Sequence, residues 1–262
     1  MNIGIIGAGL IGKTLAKKFS AAGHYVTLAD AKGPAAIQEL AQQAGAHAVA
    51  LDDVTQNVAV VVVSIPLKAI PDLAQTLRGK LREDVVLVET TNYWPHRDDR
   101  IEAIEQGTVN SVWVQQQLGR PVVKAFSNIN AYSLTVEGKP AGTPGRIALA
   151  VASDDERTKQ VVLGLVNDAG FDALDAGNLA DSWRQQPGSP AYCTDLTLPE
   201  LVAARQAARR EELVPNQELS FSKMQKKGPE YFDILLSGKY PEGFVDHAVD
   251  IFREVTNLPP RQ

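Results

Sequence analysis

The sequence predicts a doubly wound α/β fold, with helices on both faces of a mostly parallel sheet, followed by a small, mainly helical C-terminal region. Through the first two-thirds of the chain, short runs rich in Val, Ile and Leu alternate with longer amphipathic segments. Such repeated strand–helix–strand units require parallel strands joined by crossover helices. The apolar runs are continuous, as in strands that are covered on both faces. The expected strands are residues 2–7, 25–30, 59–64, 85–89, 122–126, 147–152 and 171–173, and the expected helices are residues 10–22, 35–44, 67–77, 101–106, 109–118 and 154–169.

The first loop carries the clearest motif of the chain, Gly7-Ala8-Gly9-Leu10-Ile11-Gly12. It follows an apolar strand and opens an amphipathic helix, the context in which a G-x-G-x-x-G string indicates a dinucleotide-binding turn. Gly7 allows the tight turn, Gly9 lets the backbone approach a pyrophosphate, and Gly12 lets the helix pack on the strand. The free N–H groups and the positive end of the helix dipole favour phosphate. We therefore expect NAD or NADP to bind at these six residues.

The end of the second strand bears on the choice of coenzyme. Asp30 comes eighteen residues after Gly12. A carboxylate there suits the free 2′-hydroxyl of NAD and would repel the 2′-phosphate of NADP. Lys32 could neutralise that phosphate. Asp30 thus favours NAD slightly, and NADP stays open.

With these residues placed, the chain resembles the deazaflavin-dependent NADP oxidoreductases, a family named for coenzyme F420. The resemblance covers about residues 2–200 and rests on the glycine-rich turn and on Asp30–Pro34, Val63–Pro66, Thr91–Pro95 and Val123–Ile129. It implies a Rossmann-type fold, hydride transfer to or from nicotinamide, and a deazaflavin or flavin as second redox partner. Many members carry Asn-Ser-Arg-Gly-Pro at the places of Asp30–Pro34, so the family's coenzyme preference is not carried over.

Loops at the carboxyl ends of three strands are the expected place for the nicotinamide, since ligands of such sheets lie there. The resemblance implies that the residues bordering the nicotinamide and its ribose are Ser64, Ile65, Pro66, Thr90 and Asn92. It also implies that Asn128 faces the second redox partner. Pro66 fixes its loop, which would hold a flat ring in place.

No residue is identified as catalytic, because hydride transfer between bound rings needs mainly proximity and orientation. The weak candidates for such a role are Lys124, His96 and Asn128, of which Lys124 lies in an apolar run and so needs a partner or must reach the strand end. A metal is not expected, since the four His residues and Cys193 are scattered along the chain.

Residues 181–192 are predicted to form one wall of the second-substrate pocket. The segment combines Trp183, Arg184, two amides and a loop restrained by Pro and Gly, a mixture that suits a planar or anionic ligand. An irregular connection held down by Trp183 explains the same residues, so both interpretations stay open. The basic residues that follow, Arg205, Arg209 and Arg210, are expected on a solvated helix face.

We divide the chain into a Rossmann dinucleotide-binding domain, residues 1–175, and a mainly helical region, residues 176–262. In the second part, Thr197 and Glu200 predict a capping box that opens a helix to about Glu212, with a link at residues 214–216. The tail after this link holds six of the thirteen Phe and Tyr residues, so we expect it to pack rather than to be disordered. An amphipathic helix from Phe244 is expected to pack on its own domain, with a dimer contact or a lid as alternatives, and we expect a homodimer.

Composition and charge exclude several classes of function. The net charge of −5 lacks the basic footprint of a nucleic-acid-binding protein. No apolar run approaches the roughly 20 residues that span a bilayer, so we expect no membrane partner. The sequence starts without a secretory signal and has one Cys, which predicts a cytoplasmic protein. Its expected partner is a small-molecule substrate.

The sequence predicts an NAD(P)-dependent oxidoreductase that acts on a small organic or flavin-like partner. Two alternative functions stay open. A β-hydroxyacid or imine-type reductase would follow its nucleotide domain with a long all-helical domain, whereas this chain returns to a strand near Phe171. A non-catalytic NAD(P)-binding sensor would carry the same glycine-rich turn.

Overall fold

A six-stranded parallel sheet forms the centre of the computed structural model, which describes residues 1–261. The strands of the chain are β1 (Asn2–Ile6), β2 (Tyr25–Ala29), β3 (His47–Ala48), β4 (Val60–Val63), β5 (Val86–Glu89), β6 (Val123–Lys124), β7 (Ala148–Val151) and β8 (Asp172–Asp175). The order in the large sheet, β3-β2-β1-β4-β5-β6, is that of a Rossmann-type dinucleotide-binding fold. In its middle, Ile3 pairs with Val26 on one side and with Val60 on the other.

Helices cover both faces of this sheet, so the predicted doubly wound α/β fold is confirmed. They are α1 (Leu10–Ala21), α2 (Pro34–Gln43), α3 (Ile70–Leu77), α4 (Pro95–Asp98), α5 (Glu102–Glu105), α6 (Asn110–Leu118), α7 (Ala131–Val136), α8 (Glu156–Asp168), α9 (Leu198–Ala207), α10 (Leu213–Gln225), α11 (Pro229–Ser237) and α12 (Phe244–Val255). Short 3-10 helices lie at Leu67–Ala69, Leu179–Gln185 and Arg210–Glu212. All six helices expected in the first two-thirds of the chain are present in part or in full.

The core consists of two apolar layers, because successive side chains of a strand point to opposite faces of the sheet. Ile5 packs with Leu15 and Phe19 of α1 in one layer. Its neighbour Ile6 packs with Leu73 of α3 in the other.

Strands β7 and β8 form a separate parallel pair rather than extending the large sheet in parallel. The connection to β6 is antiparallel and consists of one residue pair, Lys124 with Ala152. The Lys124 N–H donates to the Ala152 oxygen at 2.9 Å, and the Ala152 N–H donates to the Lys124 oxygen at 3.0 Å. This short seam joins the nucleotide-binding sheet to the rest of the chain.

The C-terminal region differs from the sequence prediction at three places. The capping box of Thr197 and Glu200 is present, but α9 ends at Ala207 and not near Glu212. The predicted link at residues 214–216 is wrong, because α10 runs through it. Pro215 sits in the first turn of α10, where a missing backbone N–H costs no helical hydrogen bond. Arg205 was expected in solvent, yet it is buried and donates to Gln185 and to the Ala176 oxygen.

An aromatic cluster holds the tail against the earlier part of the chain. Tyr132 and Tyr192 are buried in it together with Tyr231 and Phe252 of the tail. The apolar side of α12, which carries Ala248 and Phe252, faces this cluster. The tail is therefore packed, as its aromatic content predicts.

Over residues 1–261, no helix combines the length and the apolar character needed to cross a membrane.

Candidate functional site

The glycine-rich turn between β1 and α1 is shaped by two close backbone contacts. Gly7 has φ +106°, and a Cβ there would lie 2.1 Å from the Ser64 carbonyl oxygen. A Cβ on Gly12 would lie 1.9 Å from the Gly7 oxygen. Beside Gly9, in contrast, a Cβ would meet no atom within 4 Å. Two glycines are thus required by packing, and the third leaves open space at the start of α1.

This open space lies at the positive end of α1. Gly9 is the N-cap residue and has no side chain that could cap the helix. The first N–H groups of an α-helix lack partners within the helix and carry about half a positive charge together. Neither Leu10 nor Ile11 adds a charge in the first turn, which also lacks acidic residues. The turn therefore fits the pyrophosphate of a dinucleotide through backbone groups alone.

Asp30 lies directly after β2 and points back to this turn. One carboxylate oxygen accepts a hydrogen bond from the Ala8 N–H at 3.0 Å. The other accepts from the Lys32 N–H at 3.1 Å. The Lys32 side chain is exposed. Asp30 thus places a negative charge next to the turn at the position where the coenzyme ribose is expected.

Backbone and side-chain hydrogen bonds connect the loops after β4, β5 and β6. The Thr90 N–H donates to the Val63 oxygen at 3.1 Å. The Asn92 amide donates to the Ser127 oxygen at 2.8 Å. The Ser64 carbonyl oxygen lies against Gly7. Ile65 and Pro66, which follow Ser64 in the chain, therefore lie at the edge of the turn. The structure thus brings the predicted nicotinamide loops together at one edge of the sheet.

Asn130 Nδ2, in the loop after β6, is buried without a hydrogen-bond partner among residues 1–261, and so are two atoms nearer to the strand ends, Asn92 Oδ1 and Ser127 Oγ. An unpaired buried polar group costs about 1–3 kcal/mol. Asn92 and Ser127 touch, because the other end of the Asn92 amide is bonded to the Ser127 oxygen. A ligand that reaches this edge with a polar group would remove that cost.

Lys124, a candidate of the sequence analysis, is completely buried in an ion pair. Its Nζ lies 3.2 Å from Glu89 Oε1 and donates to the Thr91 oxygen at 2.9 Å. Glu89 also accepts from the Thr91 N–H at 2.8 Å and from the Ser111 hydroxyl at 2.5 Å. The ammonium group therefore has the partner that its apolar surroundings require.

Asn128, the residue expected to face the second redox partner, has both ends of its amide bonded to main chain. Its oxygen accepts from the Ala150 N–H at 3.2 Å, and its nitrogen donates to the Ala191 oxygen at 3.4 Å. The residue is 4% exposed. In this arrangement the Asn128 side chain connects β7 to the loop at residue 191.

A cavity of about 410 Å³ lies between residues 93–96, the start of α6, residues 183–187 and α10; we call it the side pocket. It brings together His96 and Trp183, which are far apart in sequence. The His96 ring stacks on Phe221 with 3.8 Å between ring centres. Burial lowers the pKa of His96, and the nearby Arg97 lowers it further.

Arg184 does not line the side pocket. Its guanidinium lies 4.4 Å from the centre of the Trp183 ring and donates to the Arg205 oxygen at 3.0 Å. The cation that does line the pocket is Arg210, 5.6 Å from the same ring. Arg210 is exposed, as the sequence predicts, but sequence reasoning missed that it also lines this pocket.

A second polar group that sequence reasoning missed lies in the aromatic cluster. The hydroxyls of Tyr132, Tyr231 and Tyr240 are buried there without hydrogen-bond partners among the described residues. Burial raises the pKa of Tyr132 well above its ordinary value, and the neighbouring Cys193 adds to the shift. Beside this cluster, burial raises the pKa of Asp195 to about 6, although Ser133 donates to its carboxylate at 2.6 Å.

Within residues 1–261, no group of three or more His, Cys, Asp and Glu side chains has a geometry that could hold a metal ion.

Comparison with known proteins identifies the family of this chain. The family model described as "NADP oxidoreductase coenzyme F420-dependent" matches residues 2–93. The protein YjhV of Escherichia coli (strain K12) is 40% identical over 99 residues, which are 37% of this chain and 72% of YjhV. The crystal structure of the hypothetical protein SMa0349 from Sinorhizobium meliloti has 28% identity and a TM-score of 0.64, over 75% of this chain and 95% of that one.

A candidate F420-dependent NADP reductase from Arthrobacter sp. FB24 shares the fold at 24% identity. Its TM-score is 0.56 over 69% of this chain and 86% of that chain. The segment matched by the family model contains the glycine-rich turn, Asp30 and Asn92, and it ends at Tyr93, where the side pocket begins. The chain belongs to the family of coenzyme F420-dependent NADP oxidoreductases and is an NAD(P)-dependent oxidoreductase with a Rossmann-type fold.

Proposed function

We propose that this oxidoreductase transfers a hydride between a nicotinamide coenzyme at the glycine-rich turn and a small organic or flavin-like partner, a deazaflavin included. The observation that carries the proposal is the open space beside Gly9 at the uncapped start of α1. When bound, the coenzyme supplies the hydride, so that NAD(P)H, a proton from solvent and the acceptor give NAD(P)⁺ and the reduced acceptor.

The chain contributes binding and orientation to this reaction. The N–H groups after Gly9 hold the pyrophosphate without a cationic side chain. The unpaired Asn92 Oδ1 and Ser127 Oγ at the carboxyl edge of the sheet are polar partners for the nicotinamide carboxamide, which has both donors and an acceptor. Fixing the ring at this edge would leave it near the loop that continues into the side pocket, which begins at Tyr93, one residue after Asn92.

Asp30 supports NAD over NADP as the coenzyme. Its carboxylate sits against the turn through the Ala8 N–H, so a 2′-phosphate there would meet a fixed negative charge. The exposed Lys32 offers only a flexible counter-charge. We therefore propose that NADH is the better substrate, although the family is named for NADP.

A titration with NADH and NADPH tests this choice of coenzyme. The Asp30→Asn variant should improve the affinity for NADPH relative to NADH by about tenfold, the effect of removing one charge next to a phosphate. Lys32→Gln, the matched control on the same loop, should shift the ratio in the opposite direction or not at all. An unchanged ratio in Asp30→Asn would refute the role of this carboxylate.

Turnover is tested by the oxidation of NADH and NADPH with a panel of carbonyl, imine, flavin and deazaflavin acceptors. We expect oxidation with at least one acceptor class. Tight coenzyme binding without turnover on any of them would favour a sensor, and absence of coenzyme binding would refute the proposal.

A further inference from the structure

We propose that the side pocket binds a small planar carboxylate, whose ring lies between aromatic side chains and whose carboxylate lies between Arg210 and the start of α6. The inference rests on the proposed function, because it gives this ligand the place of the second substrate. This inference gives a binding role to three residues that lie outside the sequence motifs and outside the segment matched by the family model: Asn110, Arg210 and Phe221.

The position of the pocket connects it to the coenzyme. It begins at Tyr93, directly after the loop that carries Asn92. A dinucleotide in this fold lies along the carboxyl ends of the strands, with the nicotinamide on the side of β4 and β5. Ser111, next to the pocket residue Asn110, donates to Glu89 at the carboxyl end of β5, so the pocket lies towards the edge of the sheet where the nicotinamide is expected.

The walls of the pocket suit a flat ring. Trp94, Trp183 and Phe221 present apolar faces from three separate segments of the chain. The stack of His96 on Phe221, with an angle of 17° between the rings, extends one of these faces. A volume of about 410 Å³ is in the range of pockets that enclose a ligand of one or two rings.

The start of α6 forms a polar end of the pocket. This helix of nine residues begins after Val109, which has no side chain able to cap it. Asn110 lines the pocket and is only 2% exposed. Its backbone N–H donates to Gln186 Oε1 at 2.9 Å. The later N–H groups of the first turn and the Asn110 side-chain amide are the donors that this end of the pocket offers to an anion.

Arg210 adds the charge at this end. Its guanidinium lies 5.6 Å from the Trp183 ring centre and donates to the Gly107 oxygen at 3.4 Å. No carboxylate of the described residues lies within ion-pair distance of it. A guanidinium that lacks such a partner binds a carboxylate in two parallel hydrogen bonds.

The other charged groups of the pocket limit the ligand to one negative charge. Glu105 accepts a hydrogen bond from the Tyr93 hydroxyl at 2.7 Å, and Glu218 lies on α10. Both would repel a second carboxylate. His96 has a lowered pKa and adds little positive charge near pH 7. One carboxylate at the α6 end is the arrangement that these charges favour.

Isothermal titration calorimetry with three matched probes tests the inference: 1-naphthoate, the neutral 1-naphthamide and the cationic 1-naphthylmethylamine. We expect 1-naphthoate to bind about tenfold more tightly than 1-naphthamide, the effect of a charge-assisted hydrogen bond. Arg210→Gln should remove this preference and leave 1-naphthamide binding within about twofold. Arg209→Gln, a neighbouring exposed residue outside the pocket, is the control and should behave like the unmodified protein.

Equal binding of naphthoate and naphthamide, tighter binding of the amine, or an unchanged preference in Arg210→Gln would overturn the inference. NADH is titrated separately into the same samples, so that the two proposals fail in different ways. If NADH binds and no naphthoate preference is seen, only the inference is wrong. If NADH does not bind, the proposed function itself is wrong.

Discussion

The glycine-rich turn and the side pocket are built in opposite ways. The turn offers backbone N–H groups and lacks Cβ atoms within one short segment. The side pocket is lined by long side chains such as Trp183, Arg210 and Phe221, which come from distant parts of the chain. A site made of backbone tolerates few substitutions, whereas a site made of side chains can be rebuilt for another ligand. A turn of this kind can therefore be combined with differently lined pockets.

The largest effect is expected at the buried ion pair between β5 and β6. Lys124→Met would leave the Glu89 carboxylate buried without its ion-pair partner, since both side chains are completely buried. Breaking such a pair from one side costs about 3–5 kcal/mol. Urea unfolding should therefore show a decrease of that size in the free energy of unfolding.

The double variant Lys124→Met/Glu89→Gln serves as the control, because it removes the unpaired charge. It should recover part of the stability lost in Lys124→Met. If the single variant is as stable as the unmodified protein, the buried pair does not contribute to the stability of the sheet.

How much the sequence predicts also differs between the two regions. The turn could be predicted, because its conformation follows from Gly7 and Gly12 in their own segment. The pocket could not, because α9 ends at Ala207 rather than continuing, which moves Arg210 off the expected helix face. Pro215 was interpreted as part of a link, although it lies in the first turn of α10. Strand β3 was not predicted, because its two residues form no apolar run. The domain boundary at residue 175 and the homodimer stay predictions.

A second test concerns the side-chain network of the C-terminal region, through Asp195. Burial raises its pKa from 3.8 to about 6, so the folded state binds this proton more tightly than the unfolded state. Its contribution to stability is therefore complete below about pH 4 and is lost as the pH rises through 6, a change of about 3 kcal/mol. In Asp195→Asn, this decrease in the free energy of unfolding between pH 4 and pH 7 should be absent.

Asp246→Asn is the matched control for Asp195, since both carboxylates pair with Arg261 but Asp246 is 61% exposed. The control should keep the pH dependence of the unmodified protein. The same pH dependence in Asp195→Asn would mean that another group titrates.

A third test separates the two kinds of glycine in the turn. Gly12→Ala brings a Cβ within 1.9 Å of the Gly7 oxygen, and overpacking of this kind costs about 1–3 kcal/mol of stability. Gly9→Ala meets no atom within 4 Å, so stability should change by less than about 0.5 kcal/mol. Its NADH affinity should nevertheless fall, because the Cβ occupies the path of the pyrophosphate. Unchanged NADH affinity in Gly9→Ala would contradict a backbone-built site.

The smallest effect is expected at the capping box of α9. Thr197 accepts a hydrogen bond at the start of the helix, and Glu200 in turn accepts from its N–H at 2.8 Å. Thr197→Ala should lower the free energy of unfolding by about 1 kcal/mol, measured with urea. Thr197→Ser keeps the hydroxyl and should preserve stability. A loss in Thr197→Ser as large as in Thr197→Ala would show that the methyl group matters and not the cap.

Lys124 forms both the buried charge and the single antiparallel bridge to Ala152. An amine near the end of a strand invites a test as a proton source by replacement and rate measurement. In this chain such a test would mislead, because the replacement also leaves the buried Glu89 carboxylate without its partner and so disturbs the alignment of β5 and β6. A slower variant would then report misalignment as readily as lost acid catalysis, and only the shape of its pH–rate profile would tell the two apart.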